Sequence, residues 1–135
     1  MAREKIYNNE KDVKKEVKRL LDAHGWFWWM PPANGFGKVG ISDINALRHG
    51  VFLAVETKFG YNKPTPQQKG FLHSINSHDA FGFVVTEKTV GSLQVWLEAF
   101  DRARDCTATG TKMADEDGAA MLNAIAVMTE LLVTK

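Results

Sequence analysis

Asp43, Glu56 and Lys58 are the residues whose types and spacing most directly point to chemistry. They lie on two short apolar segments, Ile41 to Leu47 and Val51 to Lys58, joined by Arg48-His49-Gly50, a composition that predicts a β-hairpin. With His49-Gly50 as a two-residue turn, Arg48 faces Val51, Ala46 faces Leu53, Ile44 faces Val55 and Asp43 faces Glu56. Side chains alternate along a strand, so Lys58 emerges on the face that carries Glu56. Two carboxylates directly opposite one another repel. At the end of an exposed hairpin they are ordinarily solvated charges, screened here by Lys58. Val51 to Val55, however, is apolar on both faces and reads as a central strand. Charges that end a buried strand need a partner, and a divalent cation is one: Mg²⁺ takes hard oxygen ligands, typically one or two carboxylates with waters and substrate phosphate.

The remaining elements must hold this hairpin. Val13, Val17, Leu20 and Leu21 fall at amphipathic spacing between Glu10 and His24, and Gly25 stops that first helix. At about 100° per residue, Glu10 falls inside the apolar stripe and Glu16 just outside it. A buried acid in the first turn is aimed at something, unless it only complements the helix dipole. Lys11, Lys14, Lys15, Lys18 and Arg19 fall on the opposite face and read as solvated. Trp26 to Met30 predicts a first strand ended by Pro31-Pro32, and Ala33 to Gly40 a glycine-rich mobile loop. Thr65-Pro66-Gln67-Gln68 reads as a helix start with Thr65 as N-cap, Pro66 at the first helical position and Gln68 completing a capping box. That second helix runs to about Ser77, Phe81 to Thr86 is a fourth strand, and a third helix from Val90 ends near Arg104. The order is αβββαβα, followed by a polar linker over 106–118 and a last helix, Ala119 to Val133.

With these residues placed, the chain resembles the VRR-NUC (virus-type replication-repair nuclease) branch of the PD-(D/E)xK nucleases, particularly its small stand-alone phage and prophage members. The resemblance covers residues 10–86. Glu10, Val13, Val17, Leu21 and Gly25 match the first-helix pattern, and Gly40-Ile41-Ser42-Asp43 matches the Gly-x-Pro/Ser-Asp strand, with Ser42 where Pro is commoner. Val55-Glu56-Thr57-Lys58 matches the Glu-x-Lys signature and Thr65-Pro66-Gln67-Gln68 the Ser/Thr-x-x-Gln helix start. The Gly-Gly often found before the last core strand is Asp79-Ala80 here, and residues 106–135 have no counterpart in the pattern.

The resemblance implies an α/β fold: a restriction-endonuclease-like αβββαβα core with a mixed central sheet flanked by helices, at 1–105, and an extra C-terminal helix at 119–135 used for packing or dimerisation. It implies Mg²⁺- or Mn²⁺-dependent hydrolysis of DNA phosphodiesters, on branched or structured DNA as by a Holliday-junction resolvase, in phage or prophage replication, recombination or repair. Asp43, Glu56 and the Thr57 backbone carbonyl would hold the metal, Lys58 would orient water or stabilise developing phosphorane charge, Glu10 would complete the coordination shell or hold one of its waters, and Gln68 would orient the site. Gln68 is also sufficiently explained by its capping box. A homodimer is implied as well. A catalytically silent DNA-binding module of the same fold stays open, as does a nuclease acting on plain duplex DNA or RNA.

Other signals weigh less. Gly35-Phe36-Gly37-Lys38 lacks the first glycine of a phosphate loop, has Val39 where Ser or Thr should ligate Mg²⁺ and precedes a strand, so no nucleotide cofactor is expected. His73 and His78 lack a ligand's spacing and companions. Trp26, Trp28 and Trp29 offer faces on which bases stack, but a strand lying on the first helix buries them in a core, as it does Trp96. Composition agrees with one ordinary domain: 135 residues, 44% hydrophobic and 24% charged, excludes a disordered chain, a collagen or a coiled-coil rod. A lone Cys106, a polar amino terminus without a signal-peptide core and no membrane-length apolar run lead to a cytoplasmic expectation. The net charge of +1 speaks against nucleic acid only on average, because residues 1–105 hold 15 basic against 12 acidic residues and 106–135 hold 2 against 4. With Glu10, Asp43 and Glu56 committed to metal, the core carries 15 against 9, which predicts moderate, salt-sensitive binding to nucleic acid.

Overall fold

The structure is a computed structural model and describes residues 5–32 and 41–133; the glycine-rich segment containing Gly35 and Lys38 lies outside them. The elements follow the expected order: α1 (Glu10–Ala23), β1 (Phe27–Trp29), β2 (Ile44–Arg48), β3 (Val51–Thr57), α2 (Pro66–Ser77), β4 (Phe81–Val85), α3 (Val90–Thr109) and α4 (Asp115–Val133). The four strands form one sheet in the order β1-β2-β3-β4, antiparallel except for the parallel β3–β4 pair. The β2–β3 register is the one the turn length predicts, Ile44 on Val55, Ala46 on Leu53 and Arg48 on Val51. His49 and Gly50 both adopt positive φ, 50° and 79°, as a type I′ turn requires.

One face of the sheet carries Ile44, Ala46, Leu53, Val55, Phe83 and Val85 and packs against Val13, Val17, Leu20 and Leu21 of α1 and Leu93, Trp96, Leu97 and Phe100 of α3. Trp26 and Trp96 lie in this core, 5.9 Å apart between ring centroids. The other face carries Ala54 and Val84, over which α2 lays Leu72 and, at its margin, Phe71 and Ile75. Gly82 permits that approach: a Cβ there would lie 2.9 Å from the Leu72 carbonyl oxygen. The Asn76 amide then binds the Gly82 backbone N–H at 2.8 Å and carbonyl at 3.0 Å, pinning the end of α2 to β4.

The carboxy-terminal part differs from expectation. The third helix runs on to Thr109 instead of ending near Arg104, the linker expected over 106–118 contracts to 110–114, and α4 begins at Asp115 instead of Ala119. Both changes follow from helix-end chemistry that a polar composition conceals. Thr107 and Thr109 turn their hydroxyls back onto the Ala103 and Asp105 carbonyls, and Gly110 closes the helix in the left-handed conformation, φ 72°. Asp115, Glu116 and Asp117 occupy the first turn of α4, where acids complement the helix dipole. From there α4 joins both cores, placing Ala124 and Met128 in the α1–α3 cluster and Leu132 in the α2 cluster. At the turn into β4, where the resemblance leads one to look for Gly-Gly, Asp79 takes φ 64°, a conformation glycine adopts at no steric cost.

Candidate active site

Asp43 sits at the bend before β2 and Glu56 on β3, so the register that pairs Ile44 with Val55 brings the two carboxylates face to face. The Asp43 backbone N–H donates to Glu56 Oε2 at 3.3 Å. Asp43 Oδ2 accepts twice from Thr57, from the backbone N–H at 3.0 Å and the hydroxyl at 2.9 Å, which leaves Oδ1 as the free edge of the carboxylate with Lys14 Nζ 3.8 Å away. Glu56 is 2% exposed, and its Oε1 accepts from Gln68 Nε2 at 2.7 Å with Lys58 Nζ at 3.5 Å. Burial first, and then the neighbouring Asp43 carboxylate, push the Glu56 carboxyl up from 4.5 to about 7; Lys58 and the Asp43 amide pull the other way.

Gln68 serves two structures with one side chain. Its Oε1 accepts the Thr65 backbone N–H at 2.9 Å while Thr65 Oγ1 accepts the Gln68 N–H at 3.2 Å, completing the capping box, and its Nε2 is left to reach Glu56. The cap alone therefore accounts for only half of the amide's hydrogen bonding. The structure thus brings together Asp43, Glu56, Thr57, Lys58 and Gln68 at one end of the hairpin. Two facing carboxylates, one of them pushed toward protonation by burial and then by the other, make a hard-oxygen donor pair whose chemistry fits Mg²⁺ or Mn²⁺.

On α1 the acids are distributed differently from the expected pattern. Glu10 is the first helical residue and half-buried, and among the described residues no third acidic, His or Cys side chain joins Asp43 and Glu56 in a cluster able to hold a metal. Glu16, expected just outside the apolar stripe, is 6% exposed and pairs with Lys5 and Arg19. The reason lies before the helix: Tyr7 packs against the α1–α3 core, and the segment carrying Lys5 folds back over that flank. Lys14, expected on the solvated face, instead approaches Asp43. The signal for it was its position at the edge of the stripe next to Leu21, since long amines at such an edge lay their stems along apolar surface. His73 Nε2 meets the Leu132 carbonyl at 3.0 Å, and His78 caps the end of α2.

No protein-family model matches the chain, and neither does any curated protein. Among solved structures a VRR_NUC domain is similar, with 29% identity and a TM-score of 0.54 over 64% of this chain and 95% of that one. A four-stranded mixed sheet flanked by helices, with this hairpin at its centre, is a fold of the PD-(D/E)xK type. The likeness in sequence and fold to that VRR_NUC domain supports a place for the chain beside the VRR-NUC family.

Proposed function

We propose that the chain is a divalent-metal-dependent nuclease that hydrolyses DNA phosphodiester bonds at the Asp43–Glu56 pair. The observation that carries this reading is the pair itself, two carboxylates held face to face with Lys58 beside them. Asp43 and Glu56 would hold Mg²⁺ or Mn²⁺ with the Thr57 carbonyl as a further oxygen. When bound, such an ion polarises the scissile phosphate and makes a water nucleophile available near neutral pH. The protein's own part is positional and electrostatic. Thr57 clamps Asp43 Oδ2 so that Oδ1 faces outward, and Gln68 holds Glu56 in one orientation from the rigid first turn of α2. Lys58, only 14% exposed, presents a compact ammonium where negative charge develops on the phosphoryl oxygens, and Lys14 offers a second cation to the approaching backbone.

The VRR-NUC likeness supports the finer reading: branched or structured DNA as substrate, a homodimer as the acting species, and a place in phage or prophage replication, recombination or repair in the bacterial cytoplasm. Among the described residues, no helix is long and apolar enough to cross a membrane. The test is a cleavage panel of four-way junction, flap, nicked, plain duplex DNA and RNA, each with Mg²⁺ and with Mn²⁺, on the native chain and on Asp43→Ala. Cleavage of junction or flap that Asp43→Ala abolishes supports the reading; cleavage unaffected by the substitution overturns it.

A further inference from the structure

Among the described residues, the sheet face that carries the acid pair is covered by α2, with the end of α4, over β3 and β4. Over β1 and β2 the strand alternation brings up Phe27, Trp29 and Leu47, which are 69%, 38% and 42% exposed, with Phe52 of β3 half-buried behind them. Their order is set by register. Phe27 pairs with Leu47 and Leu47 with Phe52, whereas Trp29 pairs with Asn45, one same-face step from Asp43. Diagonal neighbours of that kind have side chains about 7–8 Å apart, so the aromatic row begins next to the proposed metal ligands and runs away from them. The Phe27 and Trp29 rings lie 5.6 Å apart and tilted by 35°, and Trp29 meets Phe52 edge-on at 6.1 Å. Trp28, pointing to the opposite face, is tied to α1, its Nε1–H donating to Asp22 at 2.7 Å and Lys18 lying over its ring. Nothing in the described fold uses the Phe27 and Trp29 faces in the same way.

We propose that Phe27 and Trp29, backed by Phe52, form a stacking platform for unpaired nucleobases, so that the substrate class is DNA with exposed bases within a nucleotide or two of the scissile phosphate. Flat rings on an open sheet accept any base by its π-face, and a duplex, whose bases are already stacked, gains nothing from them. Size argues against a second copy of the chain as occupant. Taking about 200 Å² per large side chain, the exposed fractions of Phe27, Trp29 and Leu47 leave an apolar patch on the order of 300 Å², against about 800 Å² per partner in a standard interface. The position beside Asp43 fits DNA for a separate reason, since bases there are carried by the strand whose phosphate the carboxylate pair would engage. The assignment of DNA as ligand rests on the nuclease reading.

The test uses the full chain in EDTA and reads binding alone. A labelled oligothymidylate is compared with an abasic strand of equal length, which keeps the phosphates and lacks the bases. Trp29→Ala is expected to weaken oligothymidylate binding about 5- to 100-fold, as loss of one stacked base does, to leave abasic binding within about twofold, and to be largely rescued by Trp29→Phe. Phe27→Ala is expected to act in the same direction. Equal weakening for both strands, no weakening, or a wild-type dimer that Trp29→Ala dissociates in sedimentation would overturn the platform. Loss of the nuclease reading shows elsewhere, as cleavage surviving Asp43→Ala, and the base-dependent difference in EDTA still decides the platform.

Discussion

The Thr57 N–H and hydroxyl both donate to one carboxylate oxygen of Asp43, at 3.0 and 2.9 Å, so β3 itself aims the acid that precedes β2. The same strand supplies Glu56 and leads into Lys58, and its register with β2 sets the distance between the acids. With a cation held by the pair as proposed, metal affinity, proton affinity and folding would be linked through these few hydrogen bonds.

Removing either acid should abolish cleavage. Asp43→Asn and Glu56→Gln keep size and packing while removing the charge a cation requires, and each should lower the cleavage rate at saturating Mg²⁺ by at least about a hundredfold, equivalent to several kcal/mol of electrostatic stabilisation. Single-turnover cleavage, with circular dichroism to show that the fold is retained, checks this.

Without metal, stability should fall as pH rises from about 5 to 8. The folded-state value of Glu56, about 7, lies above its ordinary 4.5. The native state then binds the extra proton, the stabilisation is complete below about 4.5, and it is lost as pH climbs through about 7. The span corresponds to something on the order of 3 kcal/mol. Chemical denaturation in EDTA across this range should show the slope, and Glu56→Gln should flatten it. Because the cation must displace that proton, Mn²⁺ affinity should rise with pH over the same interval.

Gln68→Ala and Thr65→Ala separate the two duties of the helix cap. Both break the capping box and should cost about 1 kcal/mol in thermal or denaturant unfolding. Gln68→Ala also removes the donor to Glu56 and should weaken Mn²⁺ binding about 10- to 100-fold, the usual effect of losing a group that orients a ligand. Titration calorimetry should find Thr65→Ala close to wild type in metal affinity.

Thr57→Val retains volume and the backbone donor to Asp43 but deletes the hydroxyl donor. Metal affinity should drop about tenfold. A loss in unfolding free energy of about 1 kcal/mol should accompany it, the net worth of one hydrogen bond.

Gly82→Ala should act at a distance. The added methyl would stand 2.9 Å from the Leu72 backbone oxygen and 3.1 Å from its Cδ2, and backbone must shift to relieve it. Overpacking of that kind costs about 1–3 kcal/mol. Since the displaced helix carries Gln68, cleavage should fall along with the melting temperature, whereas Gly91→Ala, with nothing near its added methyl, should change neither appreciably.

Local chemistry written in adjacent residues was legible from the chain. The hairpin register followed from a two-residue turn, and the α2 start from Thr65, Pro66 and Gln68, because each depends only on residues within a few positions of one another. Helix ends in polar sequence were not, as the true limits of α3 and α4 show, because Thr hydroxyls that serve a helix and those that serve a loop look alike in composition.

The residues around the pair divide along the same line. Alternation and turn length determined that Asp43, Glu56 and Lys58 share a face. Which α1 side chains meet them was decided by packing: the segment around Tyr7 covers Glu16, while Lys14 approaches Asp43 from the stripe's edge. Exposure of Trp29 was decided the same way. Alternation along β1 assigns Phe27 and Trp29 to one face and Trp28 to the other, but only the tertiary structure shows that, among the described residues, no helix covers the first of these. Periodicity specifies the direction of a side chain relative to its own element; whether another element lies in that direction depends on contacts distant in sequence.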